Sequence, residues 1–235
     1  MGTRPHDRSG ERWIEVKWWG AAVVAVMVCA VAGGCTDTDA PSNPGASPSP
    51  GVIGSDAPAM TFEEAYQKLP MDGTKELPIT WEPAGVPATE DLVAARRSLV
   101  FSYWLRSETD WTPIIPIGRF LFTDKHYQEV LAPSAEVTDA ENPSRGPLWA
   151  KAMGVEETGP DEARVTFCTD RGYWRGVEDA SEVRKDRANL ESYRMTYVQT
   201  GDGERRWLTS GRTDNAVDRE EQYGAQCTEW AQHQL

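Results

Sequence analysis

The chain has 235 residues, of which 26% are charged and 39% hydrophobic, and its formal net charge is -13. An acidic surface repels phosphate backbones and anionic lipid head groups, so we expect no nucleic-acid partner and no polybasic contact with a membrane. Any attachment to a membrane must then be covalent or apolar.

Residues 1–34 have the three-part plan of an export signal. Four basic residues between Arg4 and Lys17 precede the uncharged run AAVVAVMVCAVA, and small residues follow it up to Cys35. A membrane-spanning helix is the alternative, but this run is shorter than the roughly 20 apolar residues that cross a bilayer. We therefore expect a leader that is removed from the mature protein.

The tetrapeptide Ala32-Gly33-Gly34-Cys35 is similar to the lipobox of bacterial lipoproteins, in which small residues precede a cysteine that receives diacylglycerol on its sulfur. The resemblance implies cleavage before Cys35, acylation of that residue, and anchoring in the bilayer on the extracytoplasmic face of the cell membrane. The family usually has Leu or Val where this chain has Ala32. Cleavage after Ala32 with simple secretion is the alternative.

The number of cysteines agrees with lipidation. Export would leave Cys35, Cys168 and Cys227, because Cys29 lies in the leader. An odd thiol outside the cell needs an explanation, and acylation of Cys35 supplies one. Cys168 and Cys227 are then free to form a disulfide, which an oxidising compartment favours. Two buried reduced thiols are the alternative.

A linker is predicted after the anchor. Residues 36–57 are dominated by Pro, Ser, Gly, Asp and Ala, which bury too little apolar surface to offset the entropy of ordering. The sequence thus predicts a leader over 1–34, a lipidated cysteine with a disordered linker over 35–60, and a folded domain over 61–235.

The first half of the folded part is predicted to be helical. Thr61-Phe62-Glu63-Glu64 has the form of a capping box and predicts a short helix to about residue 69. Acidic residues after Thr89 and apolar residues at helical spacing predict a longer helix over 89–107. The segment LPITWEPAGVP between them contains three prolines and indicates an extended or irregular connector.

Two further segments precede the strands. Pro113 and Pro116 argue against a helix through TDWTPIIPIGRFLF. TDKHYQEVLAP predicts a short helix that is capped by Thr123 or Asp124 and stops before Pro133.

Beyond residue 145 the apolar residues alternate with a period of two. The segments PLWAKAMGVEET, ARVTFCT, LESYRMTYVQ and ERRWLTSG predict strands of an antiparallel meander, with turns at 159–161 and 200–203. Helices first and hairpin-joined strands afterwards predict an α+β fold, with the long helix on one face of the sheet.

This region resembles the NTF2-like (cystatin-like, SnoaL-like) α+β cone of many exported lipoproteins from high-GC Gram-positive bacteria. The likeness is in the order of elements and in ATEDLVAARRSLVFSYW, ARVTFCTDRGYW and CTEWAQ, the last two of which contain Cys168 and Cys227. It implies a strongly curved antiparallel sheet around the long helix and a cavity at the open end. Members use that cavity for catalysis, for binding or for assembly.

Candidate pocket residues follow from the same resemblance. Enzymes of this fold that isomerise ketosteroids place a tyrosine and carboxylic acids in the cone, and the residues of suitable type here are Tyr103, Asp124, Tyr127 and Tyr193. No motif maps them onto family positions, and an aromatic core with solvated acids is the alternative. His126 and His233 lack ligand-spaced neighbours, and phosphate-loop and nucleophile-elbow motifs are missing from the sequence. We expect no catalytic residue, no cofactor and no metal.

The sequence favours a non-enzymatic lipoprotein that binds a small apolar ligand in the cone or another envelope protein on the sheet. One alternative is an isomerase, cyclase or hydrolase that uses a cone carboxylate, and a carboxyl group of raised pKa beside a buried tyrosine would indicate it. Another is the structural stalk of an envelope complex, which an exposed apolar patch on the sheet would indicate.

Replacement of the acylated residue tests the predicted anchor. We expect Cys35→Ser to move the protein from the membrane fraction into the soluble fraction, because serine cannot form the thioether to the lipid. Cell fractionation and immunoblotting measure the distribution, with Cys29→Ser as the matched control inside the leader. Unchanged membrane retention of the Cys35→Ser protein would count against acylation at that residue.

Overall fold

A computed structural model describes residues 60–83, 85–179 and 183–235, which all belong to one compact unit. The predicted leader, Cys35 and the predicted linker up to residue 59 lie outside these ranges. Met60, the last residue of the predicted linker, packs against the folded core. Within the described ranges, no helix has the length and apolar character needed to span a bilayer.

Helices and strands are distributed in the order that an α+β fold requires. The α-helices are α1 Phe62–Gln67, α2 Glu90–Ser107, α3 Asp124–His126 and α4 Val217–Trp230. The strands are β1 Ile79–Trp81, β2 Ser144–Arg145, β3 Leu148–Gly159, β4 Glu162–Asp170, β5 Arg175–Gly176, β6 Ala188–Gln199 and β7 Arg205–Asp214.

The main sheet is mixed, so the expectation of a purely antiparallel sheet is wrong. Its strand order is β1-β3-β4-β6-β7. β3, β4, β6 and β7 form the predicted antiparallel meander. β1 pairs parallel with β3, with Ile79 opposite Leu148. A parallel neighbour needs a long crossover, and the chain supplies it through α2 and the helical segment that follows.

The main sheet curls strongly into a half-barrel. Register shifts in β3 and at Arg194/Met195 in β6 mark bulges, and bulges increase the bend and twist of a strand. The face of the sheet that packs on α2, the inner face, carries the predicted alternation, since Leu148, Ala150 and Ala152 of β3 are buried. The long helix α2 and the main sheet therefore share one apolar core.

The structure confirms the first two predicted helices. At α1, the Thr61 hydroxyl accepts a hydrogen bond from the Glu64 N–H at 3.2 Å, and the Glu64 carboxylate accepts one from the Thr61 N–H at 2.8 Å. α2 begins and ends where its pattern predicts, although Thr89 makes no side-chain cap bond.

The segment between α2 and β2 is more helical than predicted. A 3-10 helix covers Ile115–Phe120 with Pro116 in its first turn, where the missing N–H of proline leaves no helical bond unmade. Thr123 caps α3 as expected, but the chain continues as a π-helical turn over Tyr127–Leu131 and as a 3-10 turn over Ala132–Ser134. The prediction of a stop before Pro133 is therefore wrong.

Helix α4 was missed, and it covers part of the outer face of the sheet. Cys227 of α4 lies at disulfide-bonding distance from Cys168 of β4, with the Cα atoms 5.5 Å apart, so the expected pairing is present. Leu190 packs with both cysteines. This contact explains why β4 is buried on both faces.

The disulfide joins residues 59 positions apart, and such a loop contributes on the order of 4 kcal/mol in the chain-entropy model. We expect the double variant Cys168→Ala/Cys227→Ala to lose about 4 kcal/mol in free energy of unfolding, measured by urea denaturation. Wild-type protein kept in reductant is the matched control and should behave like the variant. Alkylation of both thiols without prior reduction, seen by mass spectrometry, would contradict the bridge.

Candidate functional site

A buried carboxylate, Glu191 of β6, lies at the centre of the inner face and is 0% exposed. Its Oε2 lies 3.1 Å from Arg212 Nη2 and accepts a hydrogen bond from the Tyr193 hydroxyl at 3.0 Å. Its Oε1 accepts hydrogen bonds from the Tyr103 hydroxyl, from the Thr169 hydroxyl at 2.9 Å and from the Asn189 amide at 3.1 Å. We call these six residues the Glu191 cluster.

The cluster holds its carboxylate in the charged form. Burial raises the pKa of Glu191, but the Arg212 charge and the hydrogen bonds from Tyr103 and Thr169 outweigh burial, so that pKa lies below its usual value. Burial and the Glu191 charge raise the pKa of Tyr103, and burial raises that of Tyr193. At neutral pH the cluster is an ionised acid with neutral hydroxyl donors. A general acid needs the opposite, a raised carboxyl pKa.

Aromatic side chains seal this carboxylate from solvent. Tyr103 and Tyr193 are fully buried, and the Trp174 ring packs against Tyr103 with 4.8 Å between ring centres. The indole N–H of Trp174 is buried and has no hydrogen-bond partner. A substrate would have to displace these rings to touch Glu191.

The four residues predicted from the resemblance do not form one pocket. Tyr103 and Tyr193 meet on Glu191, as described above. Asp124 lies on the wall of a separate open cavity. Tyr127 is buried in a second apolar core, whose buried residues all lie outside the strands of the main sheet.

Sequence reasoning missed Glu191 and Arg212. A signal for Glu191 was available, because strand alternation places it two residues before Tyr193 and therefore on the same face. Arg212 lies opposite Tyr193 between β6 and β7. That register depends on the bulge at Arg194/Met195, which no local pattern indicates.

A second buried acid, Asp170 at the end of β4, holds the C-terminal residues in place. It accepts two hydrogen bonds from Arg187 at 2.9 and 2.7 Å, one from the Gly172 N–H at 2.9 Å and one from the His233 N–H at 3.0 Å. The His233 ring stacks on Trp149, with 4.9 Å between centres. Burial raises the pKa of Asp170, but these hydrogen bonds outweigh it and lower that pKa. Asp170 therefore has hydrogen-bond donors on both carboxylate oxygens and holds the C-terminal residues against β4.

Two open cavities border the helical segment 115–134. The Phe120 cavity has a volume of about 660 Å³, and its wall includes Met60, Phe62, Arg119, Phe120, Asp124 and Leu208. The Trp111 cavity has a volume of about 490 Å³, and its wall includes Phe101, Leu105, Arg106, Trp111, Ile115, Phe122, His126, Val130 and Arg212. Both volumes are typical of small-molecule sites.

The wall of the Trp111 cavity combines apolar residues with the polar residues Ser102, Arg106, His126, Ser134, Arg212 and Asp214. The π-helical turn presents Val130, which is 54% exposed, on this wall, and such turns are frequent at functional sites. His126 stacks on Phe122 with 5.2 Å between ring centres, and burial lowers its pKa, so the ring is neutral at pH 7. Arg212 belongs both to the Glu191 cluster and to this cavity wall.

Among residues 60–83, 85–179 and 183–235, no group of three or more His, Cys, Asp or Glu side chains is arranged to hold a metal ion. No family model, curated protein or solved structure matches this chain.

Removal of the Glu191 charge tests the role of the cluster. Leaving one partner of a buried ion pair alone costs about 3–5 kcal/mol. Arg212 would keep its pairing with Asp214, so we expect Glu191→Gln to lower the free energy of unfolding at pH 7 by less, about 2 kcal/mol. The folded-state pKa lies below the ordinary 4.5, so wild-type protein loses this stabilisation as pH falls through that folded value. The variant should therefore lose less stability than wild type on acidification.

Urea unfolding followed by circular dichroism at pH 7 and at acid pH measures both effects. Glu229→Gln is the matched control, because Glu229 is an exposed residue of α4. Exposed ion pairs contribute less than about 1 kcal/mol to the free energy of unfolding. A loss below that value in Glu191→Gln would contradict a stabilising role of the buried cluster.

Proposed function

We propose that this protein is a lipid-anchored extracytoplasmic binding protein whose NTF2-like domain takes a small, mainly apolar ligand in the Trp111 cavity. Acylated Cys35 would attach it to the bilayer. The lipobox resemblance supports the anchor, and the curled sheet around α2 agrees with the cone that the second resemblance implies.

The main support for binding is the open apolar cavity itself. Sites for small molecules are concave and mostly apolar, with a few polar groups that orient the ligand. The Trp111 cavity is concave and has both apolar residues and polar groups available to orient a ligand, and it leaves Val130 strongly exposed to water. Covering such side chains with a ligand is favourable by roughly 25 cal/mol per Å² of apolar surface.

The Glu191 cluster favours the alternative of an isomerase, cyclase or hydrolase, since it joins two tyrosines to one carboxylate. Two observations weigh against that alternative. The carboxylate is sealed from solvent, and its pKa is lowered. Asp214, the acid on the wall of the Trp111 cavity, is paired with Arg212 at 2.9 Å.

A sheet-bound envelope partner, or a role as a stalk, would need an apolar patch on the sheet. In the described part of the chain, the strongly exposed large apolar side chains are Val130, Val177, Val183, Val217 and Leu235. None of them belongs to a strand of the main sheet. The cavity is therefore better supported than the sheet as the binding surface.

Native extraction tests the proposed function. We expect full-length protein purified from membranes to retain an apolar small molecule, detected by mass spectrometry of the extract. Val130→Glu should reduce the bound amount at least tenfold, because a charged side chain replaces the exposed apolar surface that the ligand would cover. Val198→Glu, on the wall of the Phe120 cavity, is the matched control and should retain the ligand. Equal retention by both variants, with both folded by circular dichroism, would contradict the proposal.

A further inference from the structure

The charges around the Trp111 cavity indicate the chemical class of its ligand. We propose that the ligand is an amphipathic monoanion, a single-chain carboxylate, whose head group binds Arg106 at the mouth and whose chain lies against Trp111 and Val130. This inference rests on the proposed function, and it adds a specificity-determining residue.

Part of the cavity wall suits a hydrocarbon chain. Val130 is 54% exposed and Trp111 is half-buried, so both offer apolar surface to a ligand. Phe101, Ile115 and Phe122 of the same wall are almost fully buried in one apolar core. A cavity of about 490 Å³ has room for about sixteen groups of roughly 30 Å³, the volume of a liquid water molecule, which is enough for a dozen carbons and a carboxylate head group. A chain of about a dozen carbons therefore fills it.

Arg106 supplies the positive charge at the mouth. It is an exposed residue in the last turn of α2, where the negative end of the helix dipole favours a cation. Within the described ranges, its guanidinium makes no ion pair, hydrogen bond or ring contact. A cation with all its donors available beside an apolar wall can bind a carboxylate with two parallel hydrogen bonds.

The second arginine on this wall is already neutralised. Arg212 Nη2 lies 3.1 Å from Glu191 Oε2, and its Nε lies 2.9 Å from Asp214 Oδ1. Its charge is therefore balanced by two acids, whereas that of Arg106 is not. An amine head group would be repelled by Arg106, and an alcohol would gain no ion pair.

Photolabelling of the full-length chain in phosphatidylcholine nanodiscs tests this assignment. The probe is a 12-carbon carboxylate with a diazirine in its chain, and empty nanodiscs correct for partitioning into lipid. We expect the label in peptides covering residues 106–131. Unlabelled dodecanoate should displace it about tenfold more effectively than dodecanol, since a charged hydrogen bond to Arg106 distinguishes the two.

Variants of Arg106 test whether its charge causes the preference for the carboxylate over the alcohol. Arg106→Gln should weaken competition by dodecanoate about tenfold and leave competition by dodecanol unchanged, and Arg106→Lys should retain part of the preference. Arg194→Gln is the matched control, because Arg194 is an exposed arginine on the outer face of β6.

The outcomes separate this inference from the proposed function. Equal competition by the acid and the alcohol, with no effect of Arg106→Gln, would overturn the inference and leave an apolar site. An equal effect of Arg194→Gln would also overturn it, since general attraction of anions would then explain the preference. Labelling by the probe that avoids the cavity residues would overturn the proposed function as well.

Discussion

The buried pair of Glu191 and Arg212 is the interaction on which the rest of this structure depends. An ionised carboxylate in a protein interior is unfavourable unless charge and hydrogen bonds compensate it. Here the compensation comes from neighbouring strands and from α2 at once, because Arg212 belongs to β7, Thr169 to β4 and Tyr103 to α2. The contacts of a single side chain thus connect the long helix with β4, β6 and β7.

The same pair joins the interior to the surface. The guanidinium of Arg212 contacts the buried acid on one side and forms part of the Trp111 cavity on the other. A polar network of this kind resists rearrangement, since every shift leaves a charge unpaired. The part of the cavity wall at Arg212 is therefore held by contacts to the interior of the domain.

The two faces of the sheet are stabilised in different ways. The inner face depends on apolar packing around a polar centre, whereas the outer face depends on α4 and its covalent link between Cys227 and Cys168. Asp170 then binds the residues that follow α4 through His233. Both contacts hold the C-terminal part of the chain against β4, together with the apolar packing of α4 around Leu190.

The sequence by itself determined the elements whose signals are local. Thr61 and Glu64 define the start of α1, the acids after Thr89 define that of α2, and alternation identifies the long strands, because caps and periodicity act over a few residues. Tertiary structure decided what depends on partners distant in the chain: the parallel pairing of β1, the position of α4, and the convergence of Tyr103 and Tyr193 on Glu191. Asp124 and Tyr127 have the same chemical types as residues of the cluster, yet they lie elsewhere. The physical reason is that strand register and helix packing follow from contacts across the whole domain, and residue type alone does not report those contacts.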